Sequence, residues 1–299
     1  MSARALITGA SGFIGGALLK ALHARGDDVT ALTRRALDLP KGCKSVVTQD
    51  FSYESLSAAQ GKSEFDVIYH LAAYGIVPDA RHMQTMFEVN TVLPVTMARI
   101  AADSGARLVT AGSSAEYAAP TGDVKLGEAA PLCSDKLYGA SKASGYLAAA
   151  ASASALGVTH THLRLFNVYG DGEASHRLLP SLAGKLKAGE RVSMSDGAQV
   201  RDFIYIDDVC AAFTRAKTGG VYNVCTGQGQ SVADFARAVC AALGADERLL
   251  GFGDIARRPD DIPYLVGAPD RATEILKFTA DNNLKDGLAK CLSAQKRAA

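Results

Sequence analysis

The segment TGASGFIG, Thr8 to Gly15, constrains this chain more than any other. It sets Gly9, Gly12 and Gly15 at G-x-x-G-x-x-G spacing. The strand-like run RALITGA leads into it, and the helix-like run FIGGALLKALHARG, ending at Gly26, leads out. Such glycines permit a tight turn, close approach of backbone to a pyrophosphate, and free N–H groups at a helix N-terminus. The pattern alone is weak. Both flanking elements are those it requires, so it predicts a dinucleotide-binding loop rather than a plain turn.

The same alternation continues for two-thirds of the chain. DVTALTRR, SVVTQD, FDVIYHLAA, ARLVTAGSS and VTHTHLRLFNVYG read as strands. MFEVNTVLPVTMARIAADSG reads as a helix with a late Pro94, and a longer helix runs from about Asp135 to Leu156, closed by Gly157. Strands separated by helices of this length pair in parallel through right-handed crossovers, which predicts an α/β, Rossmann-type doubly wound sheet. After Gly170 the rhythm breaks into a mixture of loops, helices and short strands. The expectation is a smaller interleaved C-terminal substrate domain, residues about 167–198 plus 226–299, beside a dinucleotide-binding domain of residues 1–166 plus about 199–225.

Bulk properties exclude several classes. With 299 residues, 48% hydrophobic and 21% charged, the chain can bury a real core. A net charge of +1 gives no electrostatic case for nucleic acid or an anionic membrane. No apolar run approaches a membrane span, and the N-terminus has no basic, then apolar, leader pattern, so a cytoplasmic enzyme is expected. The six cysteines lie far apart and the six histidines show no ligand spacing, which argues against a zinc site or a disulfide framework. HTHLR, His160 to Arg164, reads as a strand feeding the core.

Candidate chemistry begins at the end of the second strand. An acid there would hold a ribose 2′-hydroxyl, but this chain has Thr33 followed by Arg34 and Arg35. An arginine fork binds a 2′-phosphate, so NADP(H) is the preferred cofactor, with NAD(H) as the alternative if both arginines are only solvated. At the end of the third strand, Asp50 and Phe51 can cap the adenine. YGASK places Tyr138 and Lys142 four apart, on one face of a helix. A neighbouring ammonium and a nicotinamide cation both favour phenolate, so the pair suits the proton exchange that accompanies hydride transfer. Ser113 and Ser114 close a strand, where a hydroxyl can fix the substrate oxygen.

Further motifs join these: HLAA at His70 to Ala73, Asn90 in EVNTVLP, RLFNVYG at Arg164 to Gly170, RDFIYIDDV from Arg201, YNVCTG from Tyr222, and RRPDD. Together they resemble the extended short-chain dehydrogenase/reductases, specifically the nucleotide-sugar epimerase/dehydratase group. The resemblance implies Ser113, four residues before Tyr117, as catalytic hydroxyl beside Tyr138 and Lys142, with Ser114 able to contribute. It places Ser11, Phe13, Ile14, Leu71, Ala72, Ala73, Asn90 and Phe166 on the cofactor, with Asn167, Arg201 and Arg258 on the substrate diphosphate. Competing readings are an ion pair of Arg201 with Asp202 or Asp207, and an exposed loop for Arg258.

Departures narrow the reaction. The dehydratase branch has an Asp-Glu pair after its catalytic hydroxyl, whereas this chain has Ser114-Ala115, with Glu116 one position too late. Ala118, Asp171 and Asp260 replace the group's usual Gly, Pro and Gly, altering the fine shape of the sugar pocket. A reductase and an epimerase use the same residues. Arg34 and Arg35, with the tail GDIARRPDDIPYLVG, favour NADPH-dependent reduction of a nucleotide-linked 4-keto-6-deoxy sugar. An NAD-dependent nucleotide-sugar epimerase comes second, and a non-catalytic dinucleotide sensor or scaffold third. The resemblance also implies a homodimer through a four-helix bundle of the helices near Gln84–Ser104 and Asp135–Leu156.

Overall fold

The protein's structure, a computed structural model, describes residues 2–61, 64–76 and 82–298. Its strands are β1 (Arg4–Thr8), β2 (Asp28–Thr33), β3 (Lys44–Val47), β4 (Val67–His70), β5 (Arg107–Ser113), β6 (His160–Leu165), β7 (Asn167–Tyr169), β8 (Val192–Met194), β9 (Val200–Tyr205), β10 (Gly220–Val224), β11 (Gly229–Ser231), β12 (Leu250–Phe252) and β13 (Tyr264–Leu265). Helices α1 (Phe13–Ala24), α2 (Tyr53–Gln60), α3 (Met83–Phe87), α4 (Leu93–Ser104) and α5 (Leu137–Ala155) punctuate the first six. Seven strands form one sheet in the order β3-β2-β1-β4-β5-β6-β10, every pair parallel. This is the doubly wound α/β sheet expected.

Alternation along β1 shows why both faces are covered. Ala5 and Ile7 join Val29, Ala31 and Tyr69 in the core under α1, while Leu6 joins Ile68, Leu108 and Met97 on the opposite face. Period-two side chains of a buried parallel strand must feed two cores at once. The chain reverses direction between β1 and β4, and ligands of such sheets bind in the crevice at that switch point.

Two local expectations are corrected. The run 158–170 is not one strand: it splits at Phe166, and β7 leaves to pair with β9 in a smaller sheet that also holds β11 and β13. Residues 200–205 form β9 of that smaller sheet. Buried Asp202 holds them there by accepting N–H groups of Thr226, Gly227 and Gly267. The helix expected over 86–105 contains a π-turn at Glu88–Val92. Pro94, early in α4, has no N–H to donate backwards, and a wider turn absorbs the mismatch.

Helix α2 was not foreseen. Its Ser52 cap accepts the Ser55 N–H at 3.2 Å, a local bond that a short polar segment hides well. The remaining helices, α6 (Leu178–Lys187), α7 (Ile206–Arg215), α8 (Val232–Leu243), α9 (Asp270–Leu276) and α10 (Leu284–Ala298), cover the later strands. Among the described residues no helix is long and apolar enough to cross a membrane.

Candidate active site

The glycine loop lies at the switch point, pressed on the segment after β4. Gly9 has φ +75°, and a Cβ there would stand 2.7 Å from the backbone of Leu71 and Ala72. A Cβ on Gly15 would stand 2.1 Å from the Gly9 carbonyl oxygen. Gly12 caps α1 without a side-chain bond, and the first turn of α1 carries no acid. The N–H groups at the head of α1 are thus left for an anion, so these residues fit a dinucleotide pyrophosphate. Ser11, Phe13 and Ile14 flank Gly12 in the same loop and the head of α1, and Leu71 and Ala72 pack against Gly9. The Thr8 hydroxyl, 2.8 Å from His70 Nδ1, accepts the Ala72 N–H at 3.3 Å and fixes that segment. Burial, with the charges of Lys142 and His160, pushes His70 down to about 3, so it is neutral.

At the end of β2, Arg34 and Arg35 are both exposed. The Arg34 guanidinium lies 5.6 Å from the Phe51 ring centre, which brings two predicted cofactor contacts to one edge. Asp50 caps its own turn, accepting the Ser52 N–H at 2.9 Å and its hydroxyl at 2.6 Å. Asn90 spends its side chain on protein. Its Oδ1 accepts the Tyr74 N–H at 2.9 Å, while Nδ2 donates to Tyr74 O at 2.9 Å and Ser141 Oγ at 3.0 Å. It ties the segment after β4 to α5 and leaves no side-chain donor over for a cofactor. The Phe166 ring belongs to a small core with Tyr117, Leu126 and Cys225.

Helix α5 delivers the catalytic pair because two of its residues are glycine. A Cβ on Gly139 would lie 2.0 Å from Ala115 O, and one on Gly145 would lie 1.9 Å from Asn90 O. The helix can therefore press against the turn that follows Ser113, which brings the Tyr138 phenol within electrostatic reach of the Ser113 hydroxyl. Lys142 is buried on the same face, with Nζ donating to Ala111 O at 2.7 Å. Ser114 is buried within the turn Ser114–Glu116.

The protein's own groups favour the phenol. Burial, then the Glu116 carboxylate, pushes Tyr138 up to about 12, outweighing the downward pulls of the Ser113 hydroxyl and Arg177. Lys142, itself pushed down by burial, does not reverse the sign. Tyr138 is a phenol at neutral pH, ready to donate; acting as a base requires the added charge of a bound nicotinamide cation.

Glu116 heads a buried network that the sequence reading missed. Its Oε1 accepts the Ser113 N–H at 2.8 Å, His162 Nε2 lies 3.1 Å from Oε2, and Arg164 Nε donates to Oε2 at 2.8 Å. Arg164 continues to the Tyr117 hydroxyl at 3.0 Å, and that hydroxyl donates to Asn223 Oδ1 at 2.7 Å. Burial alone would raise the Glu116 carboxyl, but His162, Arg164 and Lys142 bring it down to about 2. The signal was available in HTHLR. His160, His162 and Arg164 alternate along β6, so an inward face of three polar groups needed a buried acid.

The substrate residues converge. Asn167, Arg201 and Arg258 line one cleft of about 660 Å³. Arg201 pairs with Asp261, not with Asp202 or Asp207, and donates to Val200 O at 2.8 Å and Ile262 O at 2.7 Å. Arg258 is exposed on the rim, without an ion pair among the described residues, while its neighbour Arg257 pairs with Asp196. Phe203 and Phe235 line the same cleft, their rings stacked 4.1 Å apart.

Residues 5–225 match the family model described as the NAD dependent epimerase/dehydratase family. The chain belongs to that family. It is 30% identical, over 96% of each chain, to a UDP-glucose 4-epimerase of Mycolicibacterium smegmatis. It is 27% identical to a dTDP-4-dehydro-6-deoxy-D-allose reductase of Streptomyces bikiniensis, covering 92% of this chain and 89% of the relative. Among solved structures, MoeE5 in complex with UDP-glucuronic acid and NAD superposes with a TM-score of 0.85. It is 26% identical and covers 99% of this chain and 100% of its own. This epimerase/dehydratase family member is an enzyme, in a family that includes both epimerases and reductases.

Proposed function

We propose that the enzyme is a nucleotide-sugar 4-epimerase acting on a uridine diphosphate hexose. The observation that carries this reading is the assembly of Ser113, Tyr138 and Lys142 at the crevice of a chain whose full-length relatives include UDP-glucose 4-epimerases. It reverses the order expected from the sequence, where reduction stood first.

A nicotinamide dinucleotide held by the glycine loop would supply hydride exchange at the sugar C4. Ser113 Oγ and the Tyr138 hydroxyl would hold the C4 oxygen. Tyr138 would take the hydroxyl proton as the carbon is oxidised and return it to the same oxygen when the carbon is reduced again. Lys142, anchored on Ala111 O, orients the nicotinamide ribose and charges the site. Asn167, Arg201 and Arg258 hold the diphosphate. Dehydration is disfavoured, because Ser114 and Ala115 offer no acid and Glu116 points into the core.

A second reading, NADPH-dependent reduction of a nucleotide-linked 4-keto-6-deoxy sugar, is favoured by one observation. Arg34 and Arg35 are exposed at the end of β2, where a 2′-phosphate would sit, and support NADP(H) over NAD(H). The test is incubation with UDP-glucose or UDP-galactose and catalytic cofactor. Hexose interconversion without net dinucleotide consumption supports epimerisation. Stoichiometric NADPH oxidation with a 4-keto sugar nucleotide, and no interconversion, establishes the reductase.

Three further assignments belong to the same reading. The chain divides into a cofactor part built on the seven-stranded sheet and a substrate part holding β7–β9 and residues 226–299. A homodimer forms through α4 and α5, supported by exposed Val92 beside α4 and Leu147 on α5. The compartment is the cytoplasm, supported by six unpaired cysteines, four of them buried.

A further inference from the structure

One acid in the substrate cleft has a free hand. The Glu173 side chain is only 5% exposed, and its Oε1 accepts Arg177 Nε at 3.2 Å. Its Oε2 is buried and has no hydrogen-bond partner among the described residues. Burial, only partly opposed by Arg177, lifts this carboxyl to about 7. An unpartnered buried carboxylate oxygen is costly unless a ligand donor arrives.

Its place along the cleft indicates which part of a ligand it meets. The Arg177 charge reaches the Tyr138 phenol, so the Glu173–Arg177 pair stands at the reacting end. Arg201 and Arg258 line the same cleft and supply cations to it, and the stacked rings of Phe203 and Phe235 line it too. A nucleotide sugar whose reacting carbon meets Tyr138 brings its glycosyl group to Glu173 and leaves its diphosphate to the arginines.

We propose that the Glu173–Arg177 pair reads the glycosyl group, with Glu173 Oε2 accepting a hydroxyl of a neutral hexose while its charge excludes a hexuronate. This rests on the nucleotide-sugar reading above. A hydroxyl brings the donor that Oε2 lacks. A hexuronate carries a carboxylate in place of the hexose C6 hydroxyl, which adds a like charge where water screens poorly. Arg177 alone would favour that carboxylate through its planar fork; Glu173 occupies the fork first.

The test is titration at pH 8.5, where the Glu173 carboxyl is ionised, of the dinucleotide-loaded protein with UDP, UDP-glucose and UDP-glucuronate, for wild type, Glu173→Gln and Arg177→Met. Wild type should bind UDP-glucose at least about tenfold tighter than UDP-glucuronate. Glu173→Gln should gain about tenfold or more for UDP-glucuronate, lose affinity for UDP-glucose, and leave UDP unchanged. Such a gain cannot come from misfolding. Arg177→Met should show no gain for UDP-glucuronate. An unchanged UDP-glucose to UDP-glucuronate ratio in Glu173→Gln, or a wild-type preference for UDP-glucuronate, overturns the proposal. If wild type fails to bind UDP itself, the uridine-nucleotide reading falls and takes this inference with it.

Discussion

The Glu116 carboxylate accepts the Ser113 backbone N–H at 2.8 Å, and so an acid with no access to substrate holds the residue that touches it. Its charge also bears on the Tyr138 phenol. Glu116→Gln keeps an acceptor for Ser113 and removes the charge, so the phenol pKa should fall. In the proposed epimerase Tyr138 takes the first proton, so activity rises as pH rises through that pKa. The acid limb of kcat/KM should therefore move to lower pH by about one unit. An unmoved limb would mean that Glu116 serves only as scaffold.

The same carboxylate should shape acid stability. Its folded pKa of about 2 lies below the ordinary 4.5, so its contribution is complete above 4.5 and disappears as pH falls through 2. Glu116→Ala leaves His162 and Arg164 without their buried partner and should cost about 3–5 kcal/mol at neutral pH, read by urea unfolding. A loss below 1 kcal/mol would contradict the network's importance.

Tyr138→Phe removes the proton carrier and keeps the ring. Turnover should fall by roughly 10²–10⁴-fold while dinucleotide affinity is unchanged, measured by steady-state kinetics and nicotinamide fluorescence. Retained turnover would displace Tyr138 from the chemistry.

Gly15→Ala places a methyl 2.1 Å from the Gly9 carbonyl, and the backbone must move. Dinucleotide binding should be lost even if the variant folds; wild-type affinity would show that the loop is not the cofactor cradle. For cofactor choice, Arg34→Ala with Arg35→Ala should weaken NADPH by about ten- to a hundredfold and spare NADH. Equal effects on both would assign the arginines to solvent.

Glu173 has the opposite sign from Glu116. Its folded pKa of about 7 exceeds 4.5, so the folded state holds the proton longer and stability falls as pH rises through that window. Glu173→Gln should raise Tm at pH 8 by about 2 °C or more and change little at pH 4, followed by thermal melts. A lower Tm at both pH values would mean the ion pair with Arg177 outweighs the burial penalty.

Local spacing made much of the site legible. Gly9, Gly12 and Gly15 act within one turn, and Tyr138 and Lys142 share a helix face by periodicity alone, so short-range geometry announces both. Arg201 illustrates the limit. Its partner, Asp261, lies 60 residues away, and the nearer candidates Asp202 and Asp207 were equally consistent with the sequence. Asn90 was placed on the cofactor by resemblance, but saturation of its amide by Tyr74 and Ser141 depends on a π-turn that Pro94 only hinted at.

By itself the sequence determined the parallel doubly wound sheet, the loop at its switch point and the placing of Tyr138 and Lys142 on one helix face. Each follows from periodicity, glycine spacing or order along the chain. Tertiary structure decided the electrostatics: that Tyr138 is held as a phenol, that Glu116 lies under Ser113, and that Glu173 keeps one oxygen free. Those outcomes turn on burial and on charges from distant segments, and desolvation acts through three-dimensional neighbours that no local pattern encodes.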